Sequence, residues 1–441
     1  MFELSAIGIE WGSGLMLVML LSLLITGMPL AFVTALIALF FTFFWIGPNA
    51  IPLITSRIYS FTTSYVFVAV PMFVLMAAIL DRSSIAKDLF NAMNLIGGRL
   101  RGGVAVQTIV VAVFLAAMSG IIGGETVLLG LLALPQMLRL GYDRNLAIGT
   151  VCAGGALGTM MPPSIVLIIY GLIANVSIGD LFTSSFTPAL MLGGFYVAYI
   201  LIRAKLNPSL TPVVKEEDYN QPLAEKVRAL KGVILPVLVA FSVLGSIYGG
   251  IASVTEASGV GVVGIMLSTW VRRELTWELL KDSAMRTLET CGMIIWIGVG
   301  ASALVGIYNL MGGIHFVETL ILNLGGGSPY AVLLIMMGIL LILGMFLDWV
   351  GVALLTMPIF VPIVIKMGFD PVWFGVVFCM NMQVSFLTPP FGPAAFYLKS
   401  VAPPDITLGH IFRSLVPFIC LQVLALALLI IFPEIAMWWQ D

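Results

Sequence analysis

Residues 104–138 form a run of 35 positions in which Glu125 is the one charged side chain. Residues 331–365 form a second run of the same length, and its one charged side chain is Asp348. A water-soluble domain has no place for such segments, because its surface needs about 25% charged residues. This chain of 441 residues is 60% hydrophobic and 10% charged. A spanning helix needs about 20 apolar residues, so the chain reads as an all-α polytopic membrane protein. Its net charge of −2 excludes nucleic acid as a partner, which requires a basic face. The opening MFELSAIGIEW has no Lys or Arg and so lacks the basic start of a cleaved signal peptide.

Plain spans are expected over residues 2–25, 28–46, 64–80, 181–202, 232–249, 255–271, 290–309 and 411–432. The two 35-residue runs exceed one span, and each has a glycine-rich centre. Two further segments, 146–173 and 372–398, are interrupted by Pro162-Pro163 and Pro389-Pro390. Proline removes a backbone donor and clashes with the preceding turn, so each pair should break its helix. Arg99 and Arg101 precede the 104–138 run, and Arg139 and Arg144 follow it. Basic residues mark the cytoplasmic side, so this run should enter and leave by one face as a re-entrant hairpin of half-length helices. The 331–365 run has only Lys366 near its ends and should enter from the opposite face. Arg57, in an expected outer loop over 47–63, and Lys366 are the exceptions to the charge pattern.

The halves repeat at a spacing of 227 residues. Gly98 matches Gly325, Gly124 matches Gly351, Pro135 matches Pro362, and Asp143 matches Asp370. The double prolines match each other, as do Tyr170 and Tyr397. Each half, residues 1–203 and 232–441, then holds five crossings, a hairpin and a broken helix. An odd number of crossings turns the second copy over, and inverted repeats with interrupted helices characterise secondary transporters. Residues 204–231 read as a polar cytoplasmic linker.

Broken helices and hairpin tips leave backbone groups without partners, and an ion or substrate can satisfy them. Carbonyls at half-helix C-termini suit Na⁺, and half-helix N-termini suit a carboxylate. The first tip should face the first break and offer Ser119, Gly155, Gly158 and Thr159 to one cation. The second tip should face the second break and offer Asp348, Ser385 and Thr388 to another. Gly124, Glu125, Pro162, Pro163, Ser164, Pro389, Pro390 and Lys399 should bound the substrate site. Competing roles exist for the charged members. Glu125, Asp348 and Glu256 suit helix caps, and Lys399 suits snorkelling to the interface. Trp438 and Trp439 suit an interfacial anchor. The four cysteines stand singly in apolar runs and suit packing, while His315 and His410 lie far apart. No transition metal, cofactor or nucleophile–base pair is indicated.

The blocks GALGTMMPPSIVLIIYG (155–171), GMFLDWVGVALLTMPIFVPI (344–363) and NMQVSFLTPPFGPAAFYLK (381–399), with GIASVTEAS (250–258) and MSGIIGG (118–124), point to a family. The chain resembles the large membrane subunit of the tripartite ATP-independent periplasmic (TRAP) transporters over essentially its full length. That resemblance implies an elevator-type, Na⁺-driven importer in the bacterial inner membrane. It also implies two protein partners: a small four-helix membrane subunit and a periplasmic binding protein that delivers an organic acid, such as a keto or hydroxy acid. The family commonly has small or hydroxyl residues after the Ser-Gly of the first tip, whereas Ile121, Ile122 and Glu125 stand here. A stand-alone divalent-anion symporter is the competing reading, and a proton-passing redox subunit would need more mid-span ionisable groups.

Overall fold

The computed structural model describes residues 4–97, 100–120, 123–211 and 223–440. Every regular element among them is helical. Among the described residues, eight helices are long and apolar enough to cross a membrane. Residues 212–222 of the 204–231 linker, together with Gly98, Arg99, Ile121 and Ile122, lie outside the described residues.

Both 35-residue runs fold as two helices joined by a short break. The first hairpin comprises Gly103–Ser119 and Gly124–Arg139, the second Pro329–Phe346 and Trp349–Lys366. These arms of 17, 16, 18 and 18 residues are not half-length. At 1.5 Å per residue they measure about 24–27 Å, close to the thickness of a hydrocarbon core. The expectation of half-length arms is therefore corrected; the glycine tips break the chain only after nearly a full span.

The first broken helix runs Arg144–Ala156, tightens over Leu157–Thr159, and resumes as Ile165–Ala174. The second runs Pro371–Leu387 and resumes as Pro393–Val401. Each double proline is a cis peptide in the gap. Asp143 and Asp370 open the two helices in the same way, their carboxylates accepting from the equivalent amides Leu146 N at 2.9 Å and Trp373 N at 3.1 Å. Helices that are apolar all round belong in the interior. Accordingly, residues 146–171 and 372–387 are buried throughout and form the centre of the molecule. The repeat is not symmetric in exposure. Pro162 and Pro163 are buried, whereas Pro389, Pro390 and Phe391 are exposed. The halves interlock at this centre, where the Tyr170 hydroxyl donates to the Pro371 carbonyl at 2.6 Å.

Several expected loops and ends differ. The 47–63 loop contains the helix Ile51–Thr62, whose Arg57 lays its methylene stem against Gly306. The 290–309 span is part of the 34-residue helix Trp277–Leu310, begun by a Thr276 cap on Leu279 N. Polar residues between 277 and 289 hid that extension from a hydropathy reading. A further helix, Gly313–Leu324, precedes the second hairpin, and its Glu318 holds Lys366 at 2.6 Å. Cys152, Cys291 and Cys379 are buried, whereas Cys420 is exposed.

One polar knot ties two connections together. Arg272, after the helix Val254–Val271, donates to the Asp88 carboxylate and to Ser84 Oγ at 2.5 Å. Glu274 accepts from Ser84 N at 3.0 Å, from the Ser84 hydroxyl and from Arg272 Nε at 3.3 Å. Burial raises the Glu274 pKa, but these bonds and the guanidinium outweigh it and hold the carboxyl below its ordinary value.

Candidate functional site

The first tip closes on the first break as the sequence predicts. Gly120, with a left-handed φ of 58°, turns directly against the Pro163 carbonyl, and a side chain there would collide with it. Gly155 packs on Thr126, where an added Cβ would lie 2.7 Å from the Thr126 Cα. Gly158 packs on Glu125, where a Cβ would lie 2.8 Å from Oε1. The two glycines thus let the second arm of the hairpin lie on the broken helix.

Glu125 is 1% exposed. One carboxylate oxygen accepts from the Ser119 hydroxyl, while Oε2 is buried without a hydrogen-bond partner among the described residues. The Thr126 hydroxyl beside it is equally unpartnered. Glu125 is therefore no helix cap, and it is no rim residue either. It lies inside the first-tip cluster with Ser119 and Gly158. Thr159 donates its hydroxyl to Ala156 O at 3.0 Å, and Ser164 donates to Thr159 O at 2.5 Å. Gly124 leaves room for another carboxylate, since a Cβ there would sit 2.7 Å from Asp81 Oδ2. Asp81, which lies in electrostatic reach of Glu125, was not among the sequence candidates.

At the second tip Asp348 does cap its helix, accepting from Val350 N at 3.1 Å. Gly344 lies against Ser385, whose hydroxyl would be 2.7 Å from a Cβ at that position. Ser385 Oγ donates to Asn381 O at 3.3 Å and approaches Leu341 O at 3.4 Å. Thr388 returns its hydroxyl to Val384 O at 2.6 Å. Asp348 and Ser385 share the wall of a cavity of about 340 Å³ that also meets Thr290 and Met293 of the long helix Trp277–Leu310. Across it stand Phe391 and Tyr397. Among the described residues no Lys, Arg or His lines it, although Arg286, one turn before Thr290, lies in electrostatic reach of Tyr397.

Several expected boundary residues do not reach this cavity. Pro162, Pro163, Ser164, Pro389, Pro390, Gly124 and Glu125 are not in its lining, whereas residues following each break, Ile165, Phe391 and Pro393, are. The breaks redirect the chain, so the side chains after them face the space. Lys399 is also absent from the lining. Its ammonium donates to Ile406 O at 2.7 Å and Pro404 O at 3.4 Å, close to the snorkelling role. Glu256 forms a capping box with Ser253, accepting from its amide at 2.8 Å. Tyr397 bridges the two tips: it lines the cavity beside Asp348, and its ring occupies the space that a Cβ at Gly123 would need.

Residues 17–435 match the family model described as "Tripartite ATP-independent periplasmic transporter, DctM component". The C4-dicarboxylate TRAP transporter large permease protein DctM of Pseudomonas aeruginosa is 28% identical, over 89% of this chain and 90% of that protein. The ectoine TRAP transporter large permease protein TeaC of Halomonas elongata is 30% identical over 97% and 98%. The isethionate TRAP transporter permease protein DctMQ of Oleidesulfovibrio alaskensis is 29% identical over 94% of this chain, which spans 64% of that longer protein. The crystal structure of the Alcanivorax borkumensis YdaH transporter aligns with a TM-score of 0.60 over 87% of each chain. At 14% identity that likeness concerns the fold. The matched relatives are permeases rather than enzymes, and this chain is a multi-pass membrane protein that belongs to the TRAP transporter large-permease family.

Proposed function

We propose that the chain imports an organic acid across the bacterial inner membrane, coupled to Na⁺, after delivery by a periplasmic binding protein. The observation that carries this reading is the composition of the 340 Å³ cavity wall. Asp348 is its carboxylate, and no basic side chain accompanies it. An acid anion placed there would face a fixed negative charge in the wall, while the one guanidinium in electrostatic reach of the lining residue Tyr397, that of Arg286, stands outside the wall. Two like charges in a partly dehydrated site repel strongly unless a cation joins them. A mobile Na⁺ supplies that charge and makes acid binding depend on the ion. Asp348, Ser385 and Thr388 are the second-tip ligands in this reading. Ser119, Gly155, Gly158, Thr159 and the buried carboxylate Glu125 serve the first tip.

The volume lies at the lower end of small-molecule sites, which supports a compact keto or hydroxy acid. The names of the relatives support an acid as well, since they include a C4-dicarboxylate permease and an isethionate permease. The family is tripartite by description, which supports a small membrane subunit and a binding protein over a stand-alone symporter. The two hairpins and broken helices, repeated at one spacing, support an inverted repeat moving as an elevator.

The test is acid uptake into proteoliposomes holding this chain and its small subunit. Uptake should require both the binding protein and an inward Na⁺ gradient. Uptake by this chain alone would sink the tripartite reading, and indifference to Na⁺ would sink the coupling.

A further inference from the structure

A second polar cavity, of about 240 Å³, shares no lining residue with the first. Its walls come from the start of the first broken helix (Asp143, Asn145), the end of the helix Ile178–Leu206 (Tyr199, Arg203) and the start of the helix Leu408–Ile431 (Arg413, Ser414). Arg203 Nε is buried and has no hydrogen-bond partner among the described residues. Neither Arg203 nor Arg413 belongs to an ion pair there, although the neighbouring Arg144 is paired with Asp405 at 2.7 Å. Asp143 is the one carboxylate in the wall, and its Oδ1 is spent on the Leu146 amide. Asn145 Oδ1 is held by Ser414 Oγ and His410 Nε2, both at 3.0 Å, which leaves its amide nitrogen as a donor.

The cavity therefore presents two guanidiniums and an amide, in excess over one engaged carboxylate. Guanidiniums match phosphate oxygens in a bidentate fork. The surrounding Arg139, Arg144 and Lys205 place this end on the cytoplasmic side by the positive-inside bias. Arg203 stands three residues before the end of the 29-residue helix Ile178–Leu206, and a helix of that length outruns the hydrocarbon core, so its ends fall at headgroup level. Leu146, Pro417 and Phe418 supply an apolar floor below the arginines. Basic pockets between helices on the cytoplasmic side suit anionic headgroups.

We infer that Arg203 and Arg413 hold the phosphate of an anionic phospholipid in the cytoplasmic leaflet. The lipid joins the first half of the chain to the helix Leu408–Ile431, in a cavity separate from the one proposed for the acid.

The test is thermal unfolding of the full chain, with its co-purifying subunit, in phosphatidylcholine nanodiscs with and without phosphatidylglycerol. Phosphatidylglycerol should raise the midpoint by a few degrees, as a ligand bound only to the folded state does. R203Q/R413Q should lose that rise, and so should the exposed single variant R413Q in large part. R101Q/R139Q, with equal charge removed from the same face, should keep it. A rise unaffected by R413Q, or an equal rise from inorganic phosphate in phosphatidylcholine alone, overturns the lipid assignment.

Discussion

The Ser119 hydroxyl donates to the buried Glu125 carboxylate across the first hairpin tip, leaving Oε2 without a partner among the described residues. A buried carboxylate with one hydroxyl partner demands a compensating cation or proton. Under the Na⁺ reading, E125Q keeps the shape and removes the charge. Half-saturating Na⁺ for uptake should then rise about tenfold or more, the worth of one charge-assisted contact. Uptake titrated against Na⁺ checks this, and an unchanged half-saturation would take Glu125 out of the site.

Gly344 and Ser385 pack so closely that an alanine at 344 meets the serine side chain at 2.7–2.8 Å. G344A should cost about 1–3 kcal/mol as an overpacking change. The two nearest atoms both belong to the Ser385 side chain, so G344A/S385G should recover most of the lost melting temperature. No recovery would mean that the second tip resists the alanine for another reason.

Lys399 separates two accounts of the second broken helix. With its ammonium on the Ile406 and Pro404 carbonyls, K399M should lower stability by about 1 kcal/mol and leave the KM for the acid unchanged. A raised KM with unchanged stability would return the ammonium to the substrate.

The Arg272 knot gives a pH signature. Glu274 is held below its ordinary value of 4.5, so its contribution is complete above that value and is lost as pH falls through the lowered one. Melting of wild type and E274Q should differ by the equivalent of at most about 1 kcal/mol at pH 7. The gap should close on acidification below 4.5. A gap that widens with acid would contradict the hydrogen-bonded arrangement.

Much of this architecture was legible because glycine, proline and charge punctuate an otherwise uniform apolar chain. Arg101, Arg139 and Arg144 exposed the first hairpin, and Asp143 and Asp370 marked two equivalent helix starts. The double prolines located both breaks. Asp81 escaped notice because it ends an ordinary span, and its neighbour Gly124 is brought to it only by folding. Glu125 was read as a rim residue for the same reason: the contact with Gly158 joins two segments that hydropathy treats separately. The helices Ile51–Thr62 and Gly313–Leu324 were missed because they mix polar and apolar residues and are too short to read as spans. The exposure difference between the two double prolines has no counterpart in the sequence, since the repeat presents them as equals.

Coupling at Asp348 is the centre of the proposed mechanism, and simultaneous measurement of Na⁺ and acid entry into the same proteoliposomes tests it most directly. Wild type should take up Na⁺ in fixed proportion to acid. D348N, which keeps a side-chain oxygen for the Val350 amide, should carry fewer Na⁺ ions per acid or lose Na⁺-driven uptake. Acid entry in D348N with the wild-type Na⁺ ratio would contradict a coupling ion held at the second tip.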